Sequence, residues 1–498
     1  MKRHFRAFFN WFKSSELINH YFVELNNVEK ERSYKTSMRM ISNTEINSLV
    51  KIKRNNVNQS EFSINYLCDS YLNKPIYQYN FENGLSIIMI PDKSVNENYF
   101  SWNVNCGSKD CAFSENGEVT KFRTGMAKFV EYEMLERKVS LKLKGNKKDI
   151  DARLEREKLA ELKDCIETKT TKTYTSYSFK TKNKFLYLLP EFLKLMQEPL
   201  KFYDLKENER YLFRKVLLDE ESEFRTLYNR VLKTMYDNKE IYLDMYGFSS
   251  DIKLLTENKM LEYYNKFYCP NNIVMIAIGD FEVDNLIKFV KKNIRVKNCQ
   301  KSEIEKLLLS TYLRITSKDS MEFFLENLYD KYFAYGIKLE KIFRNISKEK
   351  ILLEMIAEKY FGENSLFREK NKNILDKDDF GIIIECHNDF SHIILMGKSE
   401  NRNKILTDIK NVIEKEMKKT LSETDFYEVK SKVLNKMYNE KFENTNEDIL
   451  LNYFEVSNDL GKWLKEYDLN LNDYNFMKTA LTKGRKYVII NKSLEGRK

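Results

Sequence analysis

The chain has 498 residues, 42% apolar and 32% charged, with 14 glycines and 5 prolines. That length exceeds one ordinary domain, and the composition excludes a disordered, fibrous or low-complexity chain. A net charge of +10 arises from 85 basic against 75 acidic residues interleaved along the chain, which argues against nucleic-acid binding.

Residues 1–74 read as a helical N-terminal extension. Phe5, Phe8, Phe9 and Phe12 fall at i, i+3, i+4 and i+7, with Lys2, Arg3, Arg6 and Lys13 around them. Such a stripe docks on the protein's own body, on a partner or on an anionic membrane surface. Asn10 and Lys13 break the apolar run and no small-residue cleavage site follows, so no signal peptide is expected. No run of about eighteen apolar residues predicts a transmembrane helix. The seven cysteines (Cys68, Cys106, Cys111, Cys165, Cys269, Cys299 and Cys386) are scattered without a Cys-x-x-Cys, as expected of reduced thiols in a cytoplasm.

The clearer elements begin at PIYQYNFENGLSIIMIPDKS, two strands around an Asn83-Gly84 turn. YFSWNVNCGSKD gives an alternating strand that ends at Cys106-Gly107. GMAKFVEYEMLE, from Gly125 to Glu136, has Met126, Phe129, Val130 and Met134 on one helical face. A dense charge run from Val139 to Lys172 follows at mostly helical spacing, and TYTSYSFKT alternates like an edge strand. Helices are predicted over 185–198 and 207–235. LTENKMLEYYNKFYCPNNIVMIAIGD then reads as helix, turn at Cys269-Pro270-Asn271 and buried strand. FGIIIECHNDFSHIILMGKSENRNKILTDIKNVIEKEM echoes this pattern: strand, turn at Asn388-Asp389, strand to Gly397, and a helix with Ile405, Ile409 and Ile413 on one face. The expected fold is α+β with two homologous units, 75–300 and 301–498, each an antiparallel sheet with helices on one side.

These residues carry a resemblance. NGLSIIMIPD, VNCGSKD, GMAKFVEYEML and Leu255–Asp280, with Tyr264, Phe267, Pro270, Asn272 and Gly279, resemble the first half of the pitrilysin/insulinase zinc peptidases, the inverzincins. FAYGIKL, FGENSLF and SETDFYEVKSKVLNKMY resemble the second half. The likeness spans roughly Pro75 to Ser493 and is similar to the short, cytoplasmic, Gram-positive members that act as pairs. It implies a clamshell of two related domains enclosing an extended peptide.

The family's motif is His-x-x-Glu-His on a helix plus a Glu on a later helix, three zinc ligands and a general base. In that register this chain has Lys128, Glu131 and Tyr132: the base position survives and both imidazoles are gone. Glu221 is a candidate for the third-ligand position, with Asp219 and Glu220 equally open within a residue or two and Glu209, earlier on the predicted helix, a rival closer to the family's usual spacing. An ammonium with a pKa of about 10.4 and a phenol near about 10 are poor replacements for imidazole, so neither metal nor cofactor is expected. Of the four histidines, His4, His20, His387 and His392, the last two flank the Asn388-Asp389 turn, where polar residues are ordinary. No Ser/His/Asp set or phosphate-binding loop offers a second chemistry.

The resemblance therefore implies a catalytically inactive homologue that pairs with an active zinc peptidase and helps form its peptide chamber. Some family pairs mature bacteriocins or other ribosomally made peptides. It further implies that Tyr174, Thr175, Ser176 and Tyr177 form the edge strand beside which an extended substrate lies, an edge expected to remain uncovered. Two other readings stand beside this one: a stand-alone peptide-binding or scaffold protein, and an active metallopeptidase with a substituted site. Where the metal would sit, Lys128 is expected within salt-bridge reach of Glu131 or its carboxylate partner, with Tyr132 offering its hydroxyl.

Overall fold

A computed structural model describes residues 62–66, 74–115, 118–137, 150–182, 185–198, 200, 223–236, 239–242, 245–294, 305–306, 320–325, 331–340, 343, 345–375, 379–388, 390–439, 441–455 and 469–491. The aromatic stripe at Phe5–Phe12 lies outside them.

The first sheet holds seven strands: β1 (Phe62–Tyr66), β2 (Pro75–Asn80), β3 (Ser86–Pro91), β4 (Asn98–Val104), β7 (Ile166–Thr170), β8 (Thr175–Thr181) and β9 (Ile273–Gly279), in the order β1-β2-β3-β9-β4-β8-β7. A small second layer is formed by β5 (Ala112–Glu115), β6 (Glu118–Lys121) and β10 (Glu305–Lys306). The Asn83-Gly84 turn forms as its sequence predicts, because Gly84 sits at φ 91, where a side chain is strained. There the Phe81 amide donates to the Leu85 carbonyl at 2.8 Å. One expectation is corrected here: the stretch assigned to a helical extension contributes β1, which pairs with β2 from Phe62↔Tyr79 to Tyr66↔Pro75.

The remaining sheet has five strands, β11 (Ser320–Leu325), β12 (Tyr332–Leu339), β13 (Phe380–Cys386), β14 (Ser391–Lys398) and β15 (Arg485–Asn491), in the order β11-β15-β12-β14-β13. Strands β3, β4, β7, β8 and β9 of the first sheet take the same places in the same chain order. In both sheets the first and last strands of this set run parallel side by side, and every other neighbouring pair among the five is antiparallel. In both, the third strand of the set forms the edge. The fold is thus α+β with one unit built twice.

Helices fill in around the sheets. In the first unit they are α1 (Met126–Tyr132, running into a π turn through Arg137), α2 (Ile150–Cys165), α3 (Phe185–Gln197), α4 (Glu223–Met235), α5 (Glu257–Phe267) and α6 (Val283–Asn293). The second unit has α7 (Ile346–Phe361), α8 (Arg402–Glu414), α9 (Glu423–Asn439), α10 (Lys441–Glu455) and α11 (Leu471–Lys483). One face of the first sheet, with Phe100, Tyr177, Phe179 and Met275, packs on Phe129 and Val130 of α1, Phe192 of α3 and Phe267 of α5.

The opposite face of each sheet is covered by a helix from the other unit. Ile449, Leu450 and Tyr453 of α10 join a core with Ile88, Tyr99, Val274 and Ile276 of the first sheet. In exchange, Leu227, Val231 and Met235 of α4 pack on Ala334, Ile394, Met396 and Ile489 of the second. Gly336 of β12 admits α4, since a Cβ there would sit 2.6 Å from the Met235 sulfur. Each such apolar side chain contributes about 1.5–3 kcal/mol on burial, so the exchange ties the units into one core.

Candidate functional site

The start of α1 is seated by backbone packed on backbone. Gly125 (φ 83) and Gly247 (φ 74) face each other so closely that a Cβ on Gly125 would lie 2.3 Å from the Tyr246 carbonyl oxygen. Neither place admits another residue without strain. Thr124 completes the clasp, its hydroxyl donating to Asp251 Oδ2 at 2.6 Å and accepting from the Phe248 amide at 3.1 Å.

From this anchor α1 buries Met126, Phe129 and Val130, with Met134 following in the π turn. Glu131 is buried as well, 3% exposed. Lys128, one turn earlier, places its Nζ 2.7 Å from both Glu131 carboxylate oxygens. The Thr170 hydroxyl, at the end of β7, donates to Glu131 Oε2. The Lys128 ammonium also stands 5.8 Å from the centre of the Tyr246 ring, within cation–π range. Tyr132 is half-buried on the same helix. Glu209, Asp219, Glu220 and Glu221 lie outside the described residues.

This donor set does not fit zinc. An ammonium has no lone pair to offer a metal, and it occupies the carboxylate that the motif keeps as base. With Lys128 and Thr170 both donating to it, the Glu131 carboxylate already has its oxygens engaged by side chains.

Strand β8 is not the sheet edge that its alternation suggests. It pairs with β4 on one side and with β7 on the other, from Ile166↔Phe179 to Thr170↔Thr175. Tyr174, Thr175, Ser176 and Tyr177 are all buried. Their polar atoms are already used: Thr175 Oγ1 donates to the Cys106 carbonyl at 2.8 Å, Ser176 Oγ to Asn103 Oδ1 at 2.6 Å, and the Tyr177 hydroxyl lies 2.9 Å from that of Tyr268. The misreading has a local cause. IETKT follows directly on the charged helix α2, and its polar alternation is that of the true edge strand, β7. Glu167 is exposed and Ile166, Thr168 and Lys169 are half-buried. Among the described residues no strand pairs along the outer side of β7.

A second polar cluster joins the units beside this edge. Lys172, in the β7–β8 turn, places Nζ 2.7 Å from both carboxylate oxygens of Glu385 on β13, and the Tyr228 hydroxyl of α4 donates to the same carboxylate at 2.6 Å. Burial alone would raise the Glu385 pKa; the Lys172 ammonium beside it outweighs that and holds the carboxyl down at about 2. Burial lowers His392 to about 3, so it is neutral, with Nδ1 3.0 Å from the Tyr236 hydroxyl. His387 places Nδ1 2.9 Å from Glu455 Oε1. The two histidines therefore serve separate structural bonds, and the groups around them show no convergence on a metal. An acid in the apolar run FGIIIEC was the sequence signal for this cluster; nothing in the sequence singled out Thr170.

Comparison with known proteins accords with this geometry. Residues 255–433 match the model of the Peptidase M16 inactive domain. An uncharacterized zinc protease, YmfH of Bacillus subtilis, is 22% identical over 352 residues, covering 69% of this chain and 78% of that protein. A putative M16-like peptidase from Alicyclobacillus acidocaldarius superposes with a TM-score of 0.67 at 16% identity, covering 84% of this chain and 98% of that one. A protease from Helicobacter pylori gives 0.62 at 16% identity, covering 84% and 99%. The chain has the fold of the M16-like peptidases, and over residues 255–433 it matches their inactive domain. Among its described residues no helix is long and apolar enough to cross a membrane.

Proposed function

We propose that this pitrilysin-like chain is the non-catalytic member of a pair: it joins an active zinc peptidase and supplies part of the wall that receives an extended peptide. The observation that carries this reading is the Lys128 ammonium on both oxygens of Glu131, which disables the motif while leaving its helix packed. The peptide docks along the open side of β7, where main-chain groups are unpaired within the described sheet, and adds a strand without demanding particular side chains. A ribosomally made peptide precursor, bacteriocins included, is the substrate class that suits an extended, sequence-tolerant site in a cytoplasmic pair.

The test is reconstitution. The purified chain alone is expected to leave unstructured peptides intact; mixed with a pitrilysin-family peptidase of the same cell that has an intact His-x-x-Glu-His, it should co-elute and raise the partner's cleavage rate. Chelator-sensitive cleavage by the chain alone would overturn the proposal. So would a partner peptidase equally active with and without it.

A further inference from the structure

The Lys128–Glu131 pair is more than a blocked site, because of what it touches. Glu131 is the one charged side chain of α1 turned fully inward, and its third contact, the Thr170 hydroxyl, belongs to the last residue of β7. A row of three side chains thus runs from the helix to the edge strand: ammonium, carboxylate, hydroxyl. Lys128 keeps 15% of its side-chain surface exposed while Glu131 keeps 3%, so the cation covers the carboxylate from the solvent side.

Strand β7 needs such a brace. Among the described residues it has hydrogen-bonded strand neighbours on one side only, it is five residues long, and four of those five are polar. The apolar contact that fixes inner strands is thin there.

We infer that Lys128 is a built-in counter-ion standing where the family's motif would place a metal, and that Lys128 and Glu131 are positioning residues which hold the end of β7 in the sheet. An internal cation of fixed charge makes the brace independent of metal supply. On the function proposed above, it keeps the receiving edge formed before the peptide arrives; the brace itself is testable without any peptide.

The experiment is hydrogen exchange of the amides of 166–170 in the full chain, together with thermal melts, for wild type, Lys128→Met, Lys128→Arg and Lys128→Met/Glu131→Gln. Lys128→Met leaves a buried carboxylate without its cation, and exchange across 166–170 should quicken about tenfold or more, with a lowered Tm. Lys128→Arg keeps the charge and should stay near wild type. The double variant, with no charge to compensate and an amide that still accepts from Thr170, should recover most of both losses. Unchanged exchange at 166–170 in Lys128→Met overturns the inference. So does a loss that Lys128→Arg shares and Glu131→Gln fails to relieve, since that pattern marks packing and not charge. The expected exchange pattern together with a wild-type chain that fails to activate any partner would count against the proposed function alone.

Discussion

The two edge strands β7 and β13 hold the same place in a unit built twice, yet one is wet and the other dry. IETKT leaves four of its five residues half-buried or exposed, whereas FGIIIEC is buried except at Ile384. The first helices after β4 and β12 differ in the same sense. Helix α7 runs 16 residues with twelve buried, packing against β13, α9, α10 and α11; α1 lasts 7 residues before it loosens into a π turn. Repetition of a fold therefore does not repeat a site. The second unit puts its edge and helix into core, whereas the first leaves its edge strand half-buried.

The sharpest way to break this contrast is at the junction between the two edges. Lys172→Met removes the cation from Glu385, which is 2% exposed, and is expected to cost about 3–5 kcal/mol in denaturant unfolding. Because the Glu385 pKa is depressed to about 2, its contribution is present above the ordinary carboxylate range and is lost as pH falls toward 2; the cost of Lys172→Met should shrink over the same window. A cost that stays constant down to that pH would show that the pair is not what joins the edges.

Next in size is the exchanged helix α10, where the buried Asp448 has its pKa raised to about 7, first by burial and then by Glu447 and Glu354, against the pull of Lys350. A raised folded pKa means stability that is full below the unfolded value and lost as pH climbs through about 7. Asp448→Asn should therefore gain roughly 2–4 kcal/mol at pH 8, and little at pH 4, by melts at the two pH values. No pH dependence in the gain would place the carboxylate in water and not in the seam.

Smaller still is Thr170→Val, which keeps the shape of the β7 terminus and removes one hydrogen bond to Glu131. A loss of about 1 kcal/mol is expected, with faster amide exchange confined to β7 while β13 stays protected. Exchange that quickens equally in both strands would erase the distinction between the edges. The smallest expected effect is of chelation: a strong chelator should leave Tm unchanged, because an ammonium and not a metal compensates Glu131. A fall of several degrees would mean that the chain holds a metal after all.

The sequence by itself was enough for the fold class, the Asn83-Gly84 hairpin, the His387–His392 hairpin and the core face of α1, because these rest on periodicity and turn chemistry within a few residues. The approach of Lys128 to Glu131 was legible in the same way, since an i, i+3 pair on a helix needs no tertiary information. Three things were decided only in three dimensions. Which strand forms the sheet edge depends on pairing between segments: IETKT reads locally as the end of a helical charge run, and only the β4-β8-β7 order makes it the edge in place of TYTSYSFKT. The third member of the brace, Thr170, lies 39 residues from Glu131, a distance that no local pattern spans. The exchange of α4 and α10 between the sheets was likewise invisible, because an amphipathic helix records that it has a buried face but not whose sheet will cover it.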